Sequence, residues 1–196
     1  MSDLIKRENE IIDEGKINMG SVNHSRVQGR LIVSLAQDER LEVMPELSID
    51  LKGLDITQFG FKATVELKPD ISVYWQTPAP ETEPLDDLIR SPLPPDLAIE
   101  ILSTSQTVTE MTNKVKAYFA LEVKSCWLVL PSLSTIYVFS PPHHYRVYSP
   151  DTDLLDETMD IHLPIQKVFK KRSKPFSVGA LFAHQSINYS ISLLYE

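Results

Sequence analysis

Cysteine is almost absent from this sequence of 196 residues, in which Cys126 is the single example. One cysteine cannot form an internal disulfide, and no Cys and His cluster has the spacing of a zinc site. Long apolar runs are also missing, which excludes a membrane-spanning helix, and the polar N-terminus lacks the apolar stretch of a secretory signal. We therefore expect a protein of the reducing cytoplasm with no membrane partner.

Glycine and positive charge are scarce as well. There are six glycines, and none of them forms a phosphate-cradling motif. The 19 Lys and Arg residues are outnumbered by 27 Asp and Glu, and the acids concentrate at the N-terminus, at 81–87 and at 151–160. A net charge of −8 argues against a large nucleic-acid-binding surface, because phosphate contacts supply much of the affinity of such proteins.

One basic cluster departs from this acidic balance, near the C-terminus. It consists of Lys167, Lys170, Lys171, Arg172 and Lys174. These residues could contact phosphates, but a solvated loop face is the simpler interpretation.

The composition itself, 42% hydrophobic and 23% charged, is that of a globular chain able to bury a core. We expect one domain at 21–170, a mobile lead-in at 1–20, and a C-terminal extension at 171–196 that packs on the domain.

Hydrophobic periodicity gives the coarse order of secondary structure. The predicted elements are a helix at 21–38, strands at 41–52 and 63–75, a strand at 97–102, a helix that starts at Ser105 or Thr107, and strands at 126–130, 135–139 and 145–148. Six prolines at 76–95 indicate a long loop. This order favours an α/β protein with a mixed sheet and helices packed against it over a purely parallel sheet.

Two carboxylates and a lysine stand out within these elements. Asp70 follows Pro69 in a predicted strand, Glu100 interrupts an apolar strand, and Lys114 lies on the helix that comes next. A carboxylate in a buried strand is costly unless it is paired or binds a metal ion. Asp70 and Glu100 could therefore converge on Mg²⁺, with Lys114 nearby to orient a water molecule or to stabilise the transition state. A purely structural Glu100–Lys114 pair explains the pattern equally well.

Three segments together resemble a known superfamily. They are Pro69-Asp70, PPDLAIEILSTS at 94–105, and NKVKAYFALEVKSCWLVLP at 113–131. They resemble the PD-(D/E)XK phosphodiesterases and, more narrowly, the bacterial restriction endonucleases of the Uma-two type. Lys114 and Tyr118 match the Lys-x₃-Tyr helix of that family, and Trp127 falls at its tryptophan. Each motif alone is weak, but the combination spans roughly residues 20–170.

The resemblance implies a fold and a function. The fold is a restriction-endonuclease-like α/β core, with a mixed sheet of about five strands and helices on both faces. The function is hydrolysis of DNA phosphodiester bonds, assisted by Mg²⁺ or Mn²⁺. Asp70 and Glu100 are implied as metal ligands, and Lys114 as the residue at the water or the scissile phosphate. A homodimer is implied as well, because enzymes of this class often cut both strands as dimers.

The sequence departs from the superfamily motif at one position. Leu102 stands where the general E-x-K motif has lysine, and Lys114 on the helix takes its place, as in the narrower family. Lys116 competes for this role, but it lies about 200° around the helix from Lys114. Glu46 is either a further catalytic acid or an outward-facing strand residue. His24 could contact a phosphate, but we interpret it as a helix-start residue.

Two other functions remain open at this point. A catalytically weak nuclease-fold module could bind DNA or protein, and a scaffold could use the Glu100–Lys114 pair for structure alone. The intact trio favours the enzyme, and the acidic composition favours the binding module.

Overall fold

The computed structural model describes residues 21–63, 65–76, 78 and 88–170. The helices are α1 (Val22–Leu35), α2 (Val108–Ala120) and α3 (Ile165–Phe169), and a 3₁₀ turn covers Ile56–Phe59. The strands are β1 (Glu42–Pro45), β2 (Ser48–Ile49), β3 (Ile71–Tyr74), β4 (Arg90–Ser91), β5 (Leu97–Ile101), β6 (Ser125–Leu130), β7 (Thr135–Phe139), β8 (Tyr145–Tyr148), β9 (Asp153–Asp156) and β10 (Ile161–Pro164). No helix of the described ranges is long and apolar enough to cross a membrane.

The main sheet is mixed, as predicted. Its six strands lie in the order β1-β3-β5-β6-β7-β8, and β5 and β6 are parallel while the other neighbours are antiparallel. Parallel strands need a crossover connection, and α2 provides it between β5 and β6. Two smaller pairs complete the structure: β2 with β4, and β9 with β10.

Both faces of the main sheet are covered. On one face α1, α3 and the β9–β10 hairpin bury a core whose central residues are Leu31, Ile99 and Trp127. On the other face α2 and the 3₁₀ turn bury a second core around Met111 and Tyr118. Because side chains alternate along a strand, each residue of β5 belongs to one core or the other, and this assigns Glu100 to the α2 face.

Local sequence signals set the starts of the two long helices. The Ser21 side chain caps α1 by accepting a hydrogen bond from the His24 backbone N–H. Thr107 caps α2 in a reciprocal capping box with Glu110, so the helix starts after Thr107 rather than at Ser105.

Two predicted strands are shorter than expected. The strand at 41–52 is broken after Pro45, because Glu46 has a φ of +55° and turns the chain away, so β1 joins the main sheet and β2 pairs with β4. The strand at 63–75 is reduced to β3, which starts after Pro69, a residue with no N–H to donate.

Other elements were not predicted at all. The β9–β10 hairpin and α3 are absent from our sequence prediction. Most of the predicted loop at 76–95 lies outside the described residues, and β4 occupies part of the remainder. The predicted segments 1–20 and 171–196 also lie outside the described residues, so the division of the chain stays a prediction.

Candidate active site

Asp70 and Glu100 come from neighbouring strands. The antiparallel register of β3 and β5 pairs Ile71 with Ile99, and one further step places Asp70 opposite Glu100. The Ile101 backbone N–H donates a 2.6 Å hydrogen bond to Asp70 Oδ2, which fixes this carboxylate at the end of β5. The structure thus brings the two predicted metal ligands to the same end of the sheet.

Glu100 is almost completely buried, with 2% of its side chain exposed. The Lys114 ammonium donates to both of its carboxylate oxygens, at 3.0 Å and 2.8 Å, and the Tyr118 hydroxyl donates to Oε1. Lys114 and Tyr118 lie one turn apart on α2, so a single helix face supplies both donors. The predicted proximity of Glu100 and Lys114 is present in the structure.

The surroundings of Glu100 and Lys114 shift the pKa values of both side chains. Burial raises the pKa of the Glu100 carboxyl, and Lys114 offsets only part of that effect. Burial alone would lower the pKa of Lys114, but the adjacent Glu100 carboxylate outweighs it, and the pKa of the ammonium is raised. Asp70 adds to both upward shifts, and both favour the protonated form. A cation placed beside Asp70 and Glu100 would instead favour the charged form of the two carboxyl groups.

The two candidate lysines of α2 occupy different environments. Lys114 faces the sheet with 15% of its side chain exposed, whereas Lys116 is an exposed residue with no ion-pair partner in the described part of the chain. The structure therefore positions Lys114, and not Lys116, beside the carboxylates.

His24 contacts the second carboxylate oxygen of Asp70. Its Nε2 lies 3.2 Å from Asp70 Oδ1, and its Nδ1 is buried without a hydrogen-bond partner among the described residues. The hydrogen bond to Asp70 raises the pKa of the imidazole. His24 does lie in the first turn of α1, as we expected of a helix-start residue, but it also holds Asp70 in place.

Glu46 lies at the rim of the site. Its carboxylate pairs with Lys68 at 3.0 Å and accepts a 3.2 Å hydrogen bond from Gln28 Nε2, and about half of the side chain is exposed. Its negative charge contributes to the raised pKa values of His24 and Lys114, so it acts on the same pocket. No hydrogen bond or ion pair among the described residues joins it to Asp70 or Glu100 through its side chain.

Sequence reasoning missed Gln28. Its amide donates a 2.9 Å hydrogen bond to the Asp70 backbone carbonyl in addition to its bond to Glu46. Four residues separate His24 from Gln28, so both project from one face of α1 toward Asp70. That spacing is visible in the sequence, but nothing in it identifies Asp70 as the partner. The positioning contact of Tyr118 was also not predicted, although its spacing from Lys114 on the helix is evident.

The donor set suits a hard divalent cation. No three His, Cys, Asp or Glu side chains within the described ranges form a ready-made metal cluster. Mg²⁺, however, commonly uses one or two carboxylates and completes its octahedral shell with water and substrate phosphate. Each Asp70 oxygen has one donor here, and Glu100 Oε2 has one, so each of these atoms keeps an acceptor position. Asp70 and Glu100 therefore fit such an ion.

The mixed sheet and the carboxylate–lysine arrangement at its end define a protein of the restriction-endonuclease-like fold. A solved structure, titled a putative nuclease belonging to DUF820 from Anabaena variabilis ATCC 29413, is similar, with a TM-score of 0.61 and 25% sequence identity, and the match covers 77% of this chain and 82% of that chain. The Uma-two (Uma2) family model, described as a putative restriction endonuclease, matches residues 7–166. The chain belongs to this family, which supports a nuclease role. A comparison with curated proteins finds no match.

Proposed function

We propose that this protein is a metal-dependent endonuclease that hydrolyses DNA phosphodiester bonds. The observation that carries the proposal is the buried Glu100 carboxylate, which is bound to Lys114 and lies opposite Asp70 at one end of the sheet. Buried charges of this kind are retained where they are paired or bind a metal ion. Membership of a nuclease-type family supports the same conclusion.

Asp70 and Glu100 would hold Mg²⁺ or Mn²⁺. When bound, the ion would supply an activated water molecule and stabilise negative charge on the phosphate oxygens. Ile101 and His24 orient Asp70 through hydrogen bonds to its two oxygens. Tyr118 is fully buried and bonds to Glu100, so it positions this ligand without touching DNA.

Lys114 would act on the substrate. Its ammonium lies at the partly exposed end of the buried pair, and its raised pKa keeps it charged at neutral pH. A positive charge there would orient the attacking water and stabilise the extra negative charge of the transition state. Glu46 is a further acid that we assign to the rim of the pocket, where it would orient a ligand or a bound water.

Three variants test these roles on plasmid and single-stranded DNA with Mg²⁺ and Mn²⁺. We expect Asp70→Ala to abolish metal binding and cleavage together. Lys114→Ala should leave metal binding intact and lower kcat on the order of a hundredfold, because lysine acts on water or phosphate. Lys116→Ala is the matched control on the same helix and should change little.

Two results would contradict the proposal. If the wild-type protein binds DNA and cuts no substrate, a binding module replaces the enzyme. If Lys116→Ala is damaging and Lys114→Ala is silent, the assignment of the lysine is wrong. Sedimentation of the wild-type protein tests the homodimer that we expect for cleavage of both strands.

A further inference from the structure

The unpaired positive charges of this acidic protein are unevenly distributed. Lysines and arginines that pair with a carboxylate among the described residues are Arg40, Lys68, Arg90, Lys114, Lys124 and Arg146. Seven others have no such partner within the described ranges, namely Arg26, Arg30, Lys52, Lys62, Lys116, Lys167 and Lys170. Four of these seven, Arg26, Arg30, Lys167 and Lys170, lie on or next to α1 and α3. Because α1 and α3 pack together, these charges share one region of the surface.

A cleft lies in this region. Arg26 and Arg30 of α1, Val168 and Phe169 of α3, and the turn between β6 and β7 form its walls. None of the described residues that line it is acidic. Among the described residues, the Arg26 guanidinium bonds only to the neutral Asn23 side chain, and the Arg30 guanidinium donates to the Val168 backbone carbonyl. Both guanidinium groups therefore keep free N–H donors and an uncompensated charge.

The turn between β6 and β7 adds neutral polar groups to the lining of the cleft. Ser132 and Ser134 line the cleft together with the arginines. Two guanidinium groups and two hydroxyl groups in one cleft, with no acid among its described lining residues, form an environment that suits a phosphate. Lys167 and Lys170, which stand on either side of Val168 and Phe169 in the chain, are exposed and add to the positive potential.

The cleft continues toward the candidate active site. A second groove shares Asn23, Pro131 and Ser132 with it and extends to Leu102 and Ser103 at the end of β5. Leu102 follows Ile101, whose N–H donates to Asp70, so this groove reaches the end of β5 to which Asp70 is bound. The second groove is mainly apolar, and its wall includes Val22, Val108 and Leu133, whose side chains are 73%, 52% and 66% exposed.

We propose that the two grooves form one track for a DNA strand, with a backbone phosphate bound by Arg26 and Arg30. This inference rests on the proposed nuclease function and specifies which surface holds the substrate. The apolar groove contacts sugars and bases next to the site of cleavage, and the cleft binds the phosphate further along the same strand. Charge complementarity selects a nucleic-acid backbone, because none of the described residues that line the two grooves is acidic, although acids outnumber bases in the sequence.

Binding without cleavage provides the test. Fluorescence anisotropy of a labelled strand of about 20 nucleotides, in EDTA and over a series of salt concentrations, gives the affinity and its salt dependence. We expect Arg26→Gln/Arg30→Gln to weaken binding roughly tenfold and to lower the slope of log affinity against log salt by about one to two. Arg26→Gln alone should lower the slope by about one, and it leaves the contact between Arg30 and α3 intact.

The matched control removes the same charge elsewhere. Lys62→Gln/Lys116→Gln deletes two exposed cations that line neither groove and have no carboxylate partner in the described part of the chain. We expect this variant to bind DNA as the wild type does. The proposed DNA track is wrong if the two double variants lose the same affinity for the strand, or if the arginine variants lose none. Failure of the wild-type protein to bind the strand would overturn it as well.

Activity on a small substrate separates this inference from the proposed function. Bis(4-nitrophenyl) phosphate has a single phosphate group, which the carboxylate site would use, and no second phosphate for the arginines, so its hydrolysis should be unchanged in Arg26→Gln/Arg30→Gln. One outcome is that the wild-type protein hydrolyses no phosphodiester and that DNA binding is weakened only in the arginine variants. This outcome contradicts the proposed nuclease function and supports the proposed DNA track. The other outcome is that the wild-type protein cleaves DNA and that the arginine variants bind DNA as the wild type does. This outcome supports the proposed nuclease function and contradicts the proposed DNA track.

Discussion

Two buried carboxylates of this protein are bound in opposite ways. Glu100 accepts hydrogen bonds from the Lys114 ammonium and the Tyr118 hydroxyl. Asp156, at the end of β9, is 1% exposed and accepts four hydrogen bonds from neutral donors. These donors are Ser125 Oγ at 2.6 Å, Trp127 Nε1 at 2.7 Å, the Thr158 N–H at 3.0 Å and the Met159 N–H at 3.1 Å.

The difference indicates two roles for the same chemical group. A carboxylate has about four acceptor positions, and Asp156 fills all of them with groups that the fold fixes in place. It joins the β9–β10 hairpin to β6 and leaves no position for a ligand. Glu100 keeps an open position on Oε2 and depends on a flexible cation at the partly exposed side of the pocket. Asp156 therefore has the environment of a structural residue, and Glu100 that of a ligand.

The largest expected effect is on stability, at Asp156. Asp156→Ala leaves the buried Trp127 indole N–H and Met159 N–H without their acceptor and also removes the acceptor of the Thr158 N–H, while the Ser125 hydroxyl keeps only the Phe139 carbonyl at 3.3 Å. The free energy of unfolding should therefore fall by about 3–5 kcal/mol. Urea unfolding followed by tryptophan fluorescence measures this loss. The fraction that stays folded should keep normal cleavage activity per molecule, because Asp156 lies on the opposite face of the sheet from Glu100. A loss of about 1 kcal/mol or less would show that the four hydrogen bonds do not act as a structural unit.

Replacing both members of the Glu100–Lys114 pair should have the opposite effect on stability. Two buried charges lose hydration, and well-packed apolar or neutral replacements are often neutral or stabilising by about 1–4 kcal/mol. We expect Glu100→Gln/Lys114→Met to unfold at the same urea concentration as the wild type or a higher one, with cleavage abolished. If the double variant is destabilised as much as Asp156→Ala, Glu100 has a structural role like that of Asp156, and the difference that we infer between the two carboxylates is wrong.

Removing the Tyr118 hydroxyl should have a smaller effect on both properties. Tyr118→Phe deletes one donor to Glu100 while the ring stays in the second core, so we expect a loss of about 1–2 kcal/mol in stability. Because the hydroxyl also orients a proposed metal ligand, the Mn²⁺ affinity measured by calorimetry should fall about tenfold or more.

Tyr148→Phe is the matched control for this change. The Tyr148 hydroxyl donates a 2.7 Å hydrogen bond to the Leu155 carbonyl, away from the site. It should cost some stability without changing the Mn²⁺ affinity. Equal metal affinities in the two variants would show that Tyr118 supports the core alone.

Local features of the fold and of the Glu100 site could be predicted from the sequence. Glu100 is recognisable because a carboxylate within the apolar run of β5 needs a partner, and Lys114 is the lysine at a suitable spacing. The sequence narrows the start of α2 to two residues, and the Thr-x-x-Glu pattern of its capping box lies at one of them. These signals are local, so a single chain segment contains them. The fold class, a mixed sheet covered by helices on both faces, follows from the order of such segments together with the family resemblance.

Features that depend on distant partners were not predictable in this way. Asp156 appears in the sequence as one of several acids at 151–160, and its four donors become visible only when β6 lies beside the hairpin. The predicted strand at 41–52 contains Pro45, but the positive φ of Glu46 has no signal in its residue type. Gln28 was missed because its partner is a backbone carbonyl 42 residues away, and every residue has a carbonyl.

Gln28 should show the smallest effect, and it tests whether positioning extends beyond the carboxylates themselves. Gln28→Ala removes the hydrogen bonds to the Asp70 carbonyl and to Glu46. The Asp70 carbonyl still accepts a 3.3 Å bond from the Glu46 N–H, so we expect a loss of about 1 kcal/mol in stability. Cleavage should fall by about tenfold, because Asp70 and Glu46 lose a shared anchor on α1.

Gln58 provides a matched control for this prediction. Gln58 donates a 2.8 Å hydrogen bond to the Asp55 backbone carbonyl in the 3₁₀ turn, so Gln58→Ala removes the same kind of bond without removing a contact to Asp70 or Glu46. The two variants should lose similar stability in urea unfolding, but only Gln28→Ala should lose cleavage activity at saturating Mg²⁺. Equal activities in the two variants would mean that α1 holds Asp70 through His24 alone, and that Gln28, like the donors of Asp156, serves the fold and not the site.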